Sequence, residues 1–218
     1  MSLPAVDAGV DRDLVHAWLA GRSLARGIAA PVPDRGGYRI DTASAAETTR
    51  WVYADADERI AELARGIAGP GYLIKLCGTA SQLAALLPGG WHTEATGFFM
   101  IGTARCEPSP LPAGYDAALR EDGGAAEVTI TAPDGTVAAR GFAGETPGGF
   151  TYDRIVAEPD HRRIGLGRAV MARLAAAKRD PARPDLLVAT PMGRLLYEAL
   201  GWRVLSPYAT ATQPGTPA

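Results

Sequence analysis

The chain has little of what marks the specialised classes of protein. Among its 218 residues only two are cysteines, Cys77 and Cys106, too few for a disulfide scaffold. The three histidines, His16, His92 and His161, lie far apart, so no zinc-ligand spacing can be written and no metal is expected. Neither charge is in excess: 22 Lys and Arg against 24 Asp and Glu leave a net charge of −2. With a pI near 5.9, there is no electrostatic footprint for nucleic acid or an anionic membrane. No apolar run approaches the ~20 residues needed to span a bilayer. The N-terminus lacks a basic segment followed by an apolar one, so it does not read as a secretory signal, and a cytoplasmic location is expected. Repeats are also lacking. Leu24-Ala-Arg-Gly-Ile-Ala recurs as Leu63-Ala-Arg-Gly-Ile-Ala, but two copies fall short of a solenoid and read as two similar helix ends.

What is present is ordinary for a globular protein, with 47% hydrophobic residues. Leu14, Val15, Trp18 and Leu19 predict a helix over residues 11–25. Ile60, Leu63, Ala64 and Ile67 predict another over 56–68, and Ser81 opens a short one through Leu87. Between them lie short strands near 38–40, 51–53, 72–76 and 97–101. Glu107 to Gly114 carries Pro108, Pro110 and Pro112 and reads as a linker, which places a boundary between residues 1–104 and 105–208. Beyond it, strands over 115–120, 126–132 and 136–143 are separated by Asp122-Gly-Gly, Pro133-Asp-Gly and Pro147-Gly-Gly turns, the pattern of an antiparallel meander. A strand over 150–157, a helix to about Lys178, a strand over 186–190, a helix over 192–200 and a strand from Trp202 follow. Residues 209–218 read as a flexible tail.

The informative stretch follows the strand over 150–157. Pro159 marks the exit, and Gly165 and Gly167 open a helix. Such a turn aims free backbone N–H groups at one point, where the helix dipole also favours negative charge. Arg162, Arg163 and Arg168 add positive charge, so a phosphate ligand is expected. A dinucleotide fingerprint is incomplete, because Val170 stands where its third glycine belongs. A P-loop would need Gly-Lys-Ser/Thr, which is absent. Read alone, the segment is also compatible with a helix that merely begins with glycines.

Ala157-Glu-Pro159-Asp-His-Arg162-Arg-Ile-Gly165-Leu-Gly167 resembles the Val-x-Pro-x-x-Arg-x-x-Gly-x-Gly motif of the GNAT superfamily of acyl-CoA-dependent N-acyltransferases. Downstream, Thr190-Pro-Met-Gly-Arg-Leu-Leu196-Tyr197-Glu-Ala-Leu-Gly201-Trp202 is similar to that family's Asn-x-x-Ala-x-x-Leu-Tyr-x-x-x-Gly-Phe. The resemblance covers roughly residues 105–208. It implies an α/β (α+β) fold with a mixed, mostly antiparallel central sheet flanked by helices. Residues 1–104 would be a degenerate GNAT-like half or a lid over the acceptor.

The resemblance further implies an N-acetyltransferase that uses acetyl-CoA and acts on a primary amine of a small molecule or peptide, as a monomer or homodimer. The alternative is a non-catalytic module that holds an acyl-CoA as a sensor. The cofactor would lie in a gap between the strand over 150–157 and the strand over 186–190. Backbone groups of Ile155, Val156 and Ala157 would meet the pantetheine. Arg162, Arg163, Ile164, Gly165, Leu166, Gly167 and Arg168 would surround the pyrophosphate. Thr190 stands where the family commonly has an asparagine that touches the cofactor. Tyr197 stands where the family places the acid for the leaving thiolate. Thr151 sits near where some members place a glutamate base, so that role does not carry over. The base is open among Asp153 and Glu158, which flank the motif strand, and Glu145 in the loop before it; Asp153 is the candidate carried forward, sharing a strand face with Ile155 and Ala157 on a period of two.

Overall fold

The structure, a computed structural model, describes residues 9–42, 44, 47–103 and 106–213. The chain opens with α1 (Arg12–Leu24), where the Asp11 carboxylate accepts from the Asp13 N–H at 2.8 Å. There follow β1 (Val32–Asp34), β2 (Gly37–Asp41), β3 (Thr49–Tyr53), α2 (Arg59–Arg65), β4 (Tyr72–Cys77), α3 (Ala80–Leu86) and β5 (His92–Gly102). The meander supplies β6 (Asp116–Asp122), β7 (Ala125–Thr131), β8 (Val137–Thr146) and β9 (Gly149–Ala157). The chain ends with α4 (Leu166–Ala176), β10 (Asp185–Ala189), α5 (Pro191–Ala199) and β11 (Trp202–Thr212).

These strands form one sheet in the order β1-β2-β3-β4-β11-β5-β10-β9-β8-β7-β6. The β3–β4 and β9–β10 pairs are parallel and the other described pairs antiparallel. The fold is therefore the mixed, mostly antiparallel sheet with flanking helices that the sequence implies. The order also has an internal symmetry. The run β3-α2-β4-α3-β5 has the same connectivity as β9-α4-β10-α5-β11, and each run ends in a strand that crosses over to the other. β11 pairs with β4, and β5 pairs with β10. The sheet thus continues unbroken from the elements of residues 1–104 into those of 105–208.

One face of the sheet is covered by α1, whose Val15, Trp18 and Leu19 pack with Val52, Phe99, Leu186 and Tyr208. On the other face, α4 and α5 cover Val128, Ile130, Tyr152 and Leu187. Beside them α2 and α3 cover Ile74, Leu76, Ala209 and Ala211. Helix α1 crosses the sheet at very short range: a Cβ on Gly144 of β8 would collide with the Gly21 carbonyl, so glycine is required at this contact.

Three local expectations change. A short edge strand, β1, forms across Pro33, as an edge tolerates a residue that cannot donate to a ladder. β5 begins at His92, well before Gly97, because its early half is paired along β11. The expected tail from residue 209 is ordered through Thr212: Ala209 and Ala211 are buried beside Leu83, and their strand is paired on both sides. Residues 214–218 lie outside the described residues.

Candidate functional site

The parallel strands β9 and β10 pair at only two positions, Asp185 with Phe150 and Leu186 with Thr151. Past these they separate. The divergence begins at a bulge, where Arg154 has φ +52° and the register with β8 shifts between Arg140 and Phe142. A bulge bends its strand and re-aims the side chains after it. Here it breaks the period-two expectation. Asp153 points to α1, whereas Ile155 and Ala157 pack in the core on the α4 face. A Cβ on Gly141 would lie 2.6 Å from Ile155 Cδ1 on that face. Asp153 therefore does not share a face with Ile155 and Ala157. The other parallel pair, β3–β4, stays paired over five positions, from Thr49–Tyr72 to Tyr53–Leu76.

At the far end of β9 the chain makes a 3₁₀ turn, Pro159–His161, and enters α4. Arg163 at φ +68° and Gly165 at φ +91° turn it sharply. Gly165 is the N-cap and has no side chain to cap the helix. The first intrahelical bond runs from the Ala169 N–H to the Gly165 carbonyl, so the N–H groups of Leu166, Gly167 and Arg168 have no helical acceptor. A Cβ at Gly165 would meet nothing within 4 Å, so the space before these groups is open. Arg162, Arg163, Ile164 and Arg168 are exposed around it, while Leu166 is buried beneath. An anion fits this turn in both shape and charge.

The strand edge facing the gap follows from the ladder. Glu158 N–H donates to Ala138 O on β8. Backbone groups alternate between the two edges of a strand, so those of Ile155 and Ala157 face the gap and those of Val156 face β8. Arg162 Nε donates to the Ala157 carbonyl at 3.2 Å. On β10's exit, Thr190 Oγ1 accepts from the Gly193 N–H at 3.1 Å and caps α5. Tyr197 lies in the core cluster with Tyr152 and Ala189, its ring 5.9 Å from that of Trp202. Burial, with a smaller contribution from the Asp153 charge, pushes its pKa up to about 12.

On the α1 face, a cavity of about 220 Å³ opens where β9 and β10 part, lined there by Tyr152, Asp153 and Val188. The rest of its lining sets four cations among Trp18, Thr96 and Tyr208. Arg22 and Arg26 come from α1, Arg50 from β3 and Lys75 from β4. Asp153 accepts from Arg26 Nε at 2.6 Å and Nη2 at 2.9 Å, and from Arg154 Nε at 3.1 Å. Arg50 is paired with Glu47. Burial and the neighbouring Arg50 lower the pKa of Lys75 to about 8; burial, Arg50 and Arg26 lower that of Arg22 to about 10.

These four cations escaped the sequence reading, although two left a trace. Lys75 interrupts an otherwise apolar strand, Tyr72-Leu-Ile-Lys-Leu-Cys, and Arg26 lies in the first copy of the echoed hexapeptide. A larger cavity, about 860 Å³, opens at the other end of α4, beside Arg173, Lys178 and Asp185. That end presents helix carbonyls, and Lys178 is paired with Asp185 at 2.9 Å, so it suits an anion poorly.

No family model matches the sequence, and no curated protein matches it. Solved structures do match it. A GCN5-related N-acetyltransferase from Kribbella flavida superimposes with a TM-score of 0.65 at 15% identity, over 96% of this chain and 98% of its own. A GNAT-family acetyltransferase from Novosphingobium aromaticivorans gives 0.56 at 19% identity, over 95% and 98%. A GCN5-related N-acetyltransferase from Sphaerobacter thermophilus gives 0.55 at 14% identity, over 84% and 79%. At these identities the likeness is one of fold. The chain has the GNAT fold, and the likeness extends over residues 1–104 as well as 105–208. Among the described residues no helix is long and apolar enough to cross a membrane.

Proposed function

We propose that this chain, built on the GNAT fold, is an N-acetyltransferase that moves the acetyl group of acetyl-CoA to a primary amine of a small molecule or peptide. The observation that carries the reading is the parting of β9 and β10 after two paired positions, with the uncapped N-terminus of α4 at the end of β9. On this reading the edge groups of Ile155 and Ala157 bind the pantetheine amides. The N–H groups of Leu166, Gly167 and Arg168, with the Arg162, Arg163 and Arg168 side chains, bind the pyrophosphate. Bound acetyl-CoA supplies an acyl thioester, the electrophile. The acceptor enters from the α1 face through the basic cavity.

The attacking amine, with a pKa near ~10.4, must lose a proton, which costs about 4.6 kcal/mol at pH 7. Asp153 reaches the cavity, but serving as base would require it to release a bond to Arg26 or Arg154. The reading therefore makes Asp153 a positioning residue for the arginines and routes the amine's proton to solvent through the cavity. Tyr197 at about 12 would hand its proton to a thiolate near ~8.5 at a cost of about 5 kcal/mol. Its assigned role is a hydrogen bond from Oη to the departing sulfur as charge develops there.

Calorimetry with acetyl-CoA, followed by thiol release across an amine panel, tests the proposal. Gly165→Asp puts a side chain and a negative charge at the turn and should abolish acetyl-CoA binding. Normal binding by that variant would refute the site. Saturable acetyl-CoA binding with no amine-dependent thiol release would favour the sensor instead.

A further inference from the structure

Three donors on the α1 face of the gap are unspent. Lys75 Nζ has one hydrogen bond, to Thr210 Oγ1 at 3.1 Å, and forms no ion pair among the described residues. Arg22 reaches a carboxylate only at 3.8 Å, on Asp153, which Arg26 and Arg154 already hold. Tyr208 is 4% exposed, and its hydroxyl has no hydrogen-bond partner among the described residues. All three line the same 220 Å³ cavity, which Asp153 and Val188 place beside the parting strands. A buried donor without an acceptor is costly, and a buried charge without a partner more so. Lys75 keeps one neutral acceptor, Arg22 one distant and shared carboxylate, and Tyr208 none; their convergence on one void indicates a site completed by a ligand. The ligand must be an acceptor of hydrogen bonds and an anion.

We propose that this cavity binds an acidic group of the acceptor, so that the substrate is a small amine carrying a carboxylate or a phosphate. The inference rests on the acetyl transfer proposed above and names its substrate class. Lys75 and Arg22 supply the charge, Tyr208 Oη the neutral donor, and Trp18 the apolar wall. The cavity is smaller than the ~300–1,000 Å³ typical of drug-sized ligands, which fits a small acceptor. An acid held against Lys75 and Arg22 leaves its amine free to reach the gap at Asp153 and Val188. Sharing Asp153 among Arg26, Arg154 and Arg22 leaves the site a surplus of positive charge that an anion neutralises.

The test uses the full chain and matched probes: L-amino acids against their amides, and phosphoethanolamine against ethanolamine. Acetyl-CoA is titrated first by calorimetry, then each probe, and turnover is followed by thiol release. An acid should bind about 30-fold more tightly than its neutral partner, the weight of one charge-assisted hydrogen bond. The arm in which this occurs identifies carboxylate or phosphate. Lys75→Met and Arg22→Met should each weaken the acid by a similar factor, while acetyl-CoA affinity is unchanged. Equal binding of acids and neutral partners, or an acid untouched by both substitutions, overturns the inference. A chain that binds acetyl-CoA but no acidic probe does the same. A chain that binds acids through Lys75 but not acetyl-CoA instead overturns the acetyl-transfer reading and leaves the anion site standing.

Discussion

Lys75 stands in the middle of β4 with its ammonium in the cavity. Burial there, together with the charges of Arg50 on β3 and Arg22 on α1, outweighs the attraction of Glu47 and Glu94 and lowers its pKa from 10.5 to about 8. That difference corresponds to about 3 kcal/mol against the charged form in the folded chain. Lys75→Met keeps the stem over Tyr208 and removes the charge. The variant should therefore be more stable than the natural chain at pH 7 by up to about 3 kcal/mol, or about 6–12 °C in Tm for a chain of this size. The sign with pH is fixed. Below pH 8 the ammonium is protonated in both folded and unfolded chains, so the penalty is full and constant. Between about 8 and 10.5 only the unfolded chain keeps the proton, so the natural chain gains stability as pH rises. Arg22 and Tyr208 titrate in both proteins and largely cancel in the difference. Urea unfolding of the two proteins from pH 7 to 10.5 reads the gap directly. It should be widest at pH 7–8 and close toward 10.5. A gap that does not vary with pH, or a variant less stable at pH 7, would refute the uncompensated charge on which the anion site rests.

Asp153→Asn leaves Arg22, Arg26 and Arg154 without their shared anion; with Arg26 partly exposed, the loss should be about 2–3 kcal/mol, somewhat less than for a fully buried pair, and appear as a fall of about 4–12 °C in Tm. Unchanged Tm with abolished turnover would instead make Asp153 the base. Tyr197→Phe should cut kcat by about 10-fold or more with the KM for acetyl-CoA unchanged, and undiminished kcat in single-turnover assays would remove it from the chemistry. Calorimetric titration should return one acetyl-CoA per chain, because β3 and β4 stay paired over five positions where β9 and β10 part after two. A stoichiometry near two would contradict that reasoning.

What could be read from the sequence was what local residues dictate. The meander is visible because two of its turns need positive φ, and Gly123, Gly124 and Gly135 supply it. The turn into α4 is visible for the same reason, since Gly165 combines positive φ with an absent side chain. The bulge at Arg154 has no such mark: it places an arginine at φ +52°, and nothing in Asp153-Arg-Ile distinguishes it from regular strand. Missing it put Asp153 on the wrong face. The crossing of β11 and β5 is a pairing between residues a hundred or more positions apart, which no local pattern records. The ordered strand at 209–212 was missed with it, since small and polar residues become strand only when both neighbours are in place.

The same crossing gives residues 1–104 a role that their own motifs do not declare. Every element carrying the cofactor reading, from β9 through α4 to α5, lies after residue 148. Every cation lining the 220 Å³ cavity comes before residue 76: Arg22, Arg26, Arg50 and Lys75. Because β11 inserts between β4 and β5, Lys75 on β4 faces Tyr208 and Thr210 on β11, and the first run's charges reach the second run's gap. The two runs share one connectivity and have parted in the detail that matters for binding. In the second, a bulge opens the parallel pair and glycines uncap the helix. In the first, the pair stays closed, α2 starts from Glu58 rather than a glycine turn, and the strands carry charge toward the neighbour. A closed pair cannot admit a pantetheine arm, but it is a rigid mount for Arg50 and Lys75. On the proposed reading, the cofactor is held by the second run and the acceptor's acid by Lys75 of the first run with Arg22 of α1, so a change of acceptor through Lys75 and Arg22 would leave the turn at Gly165 undisturbed.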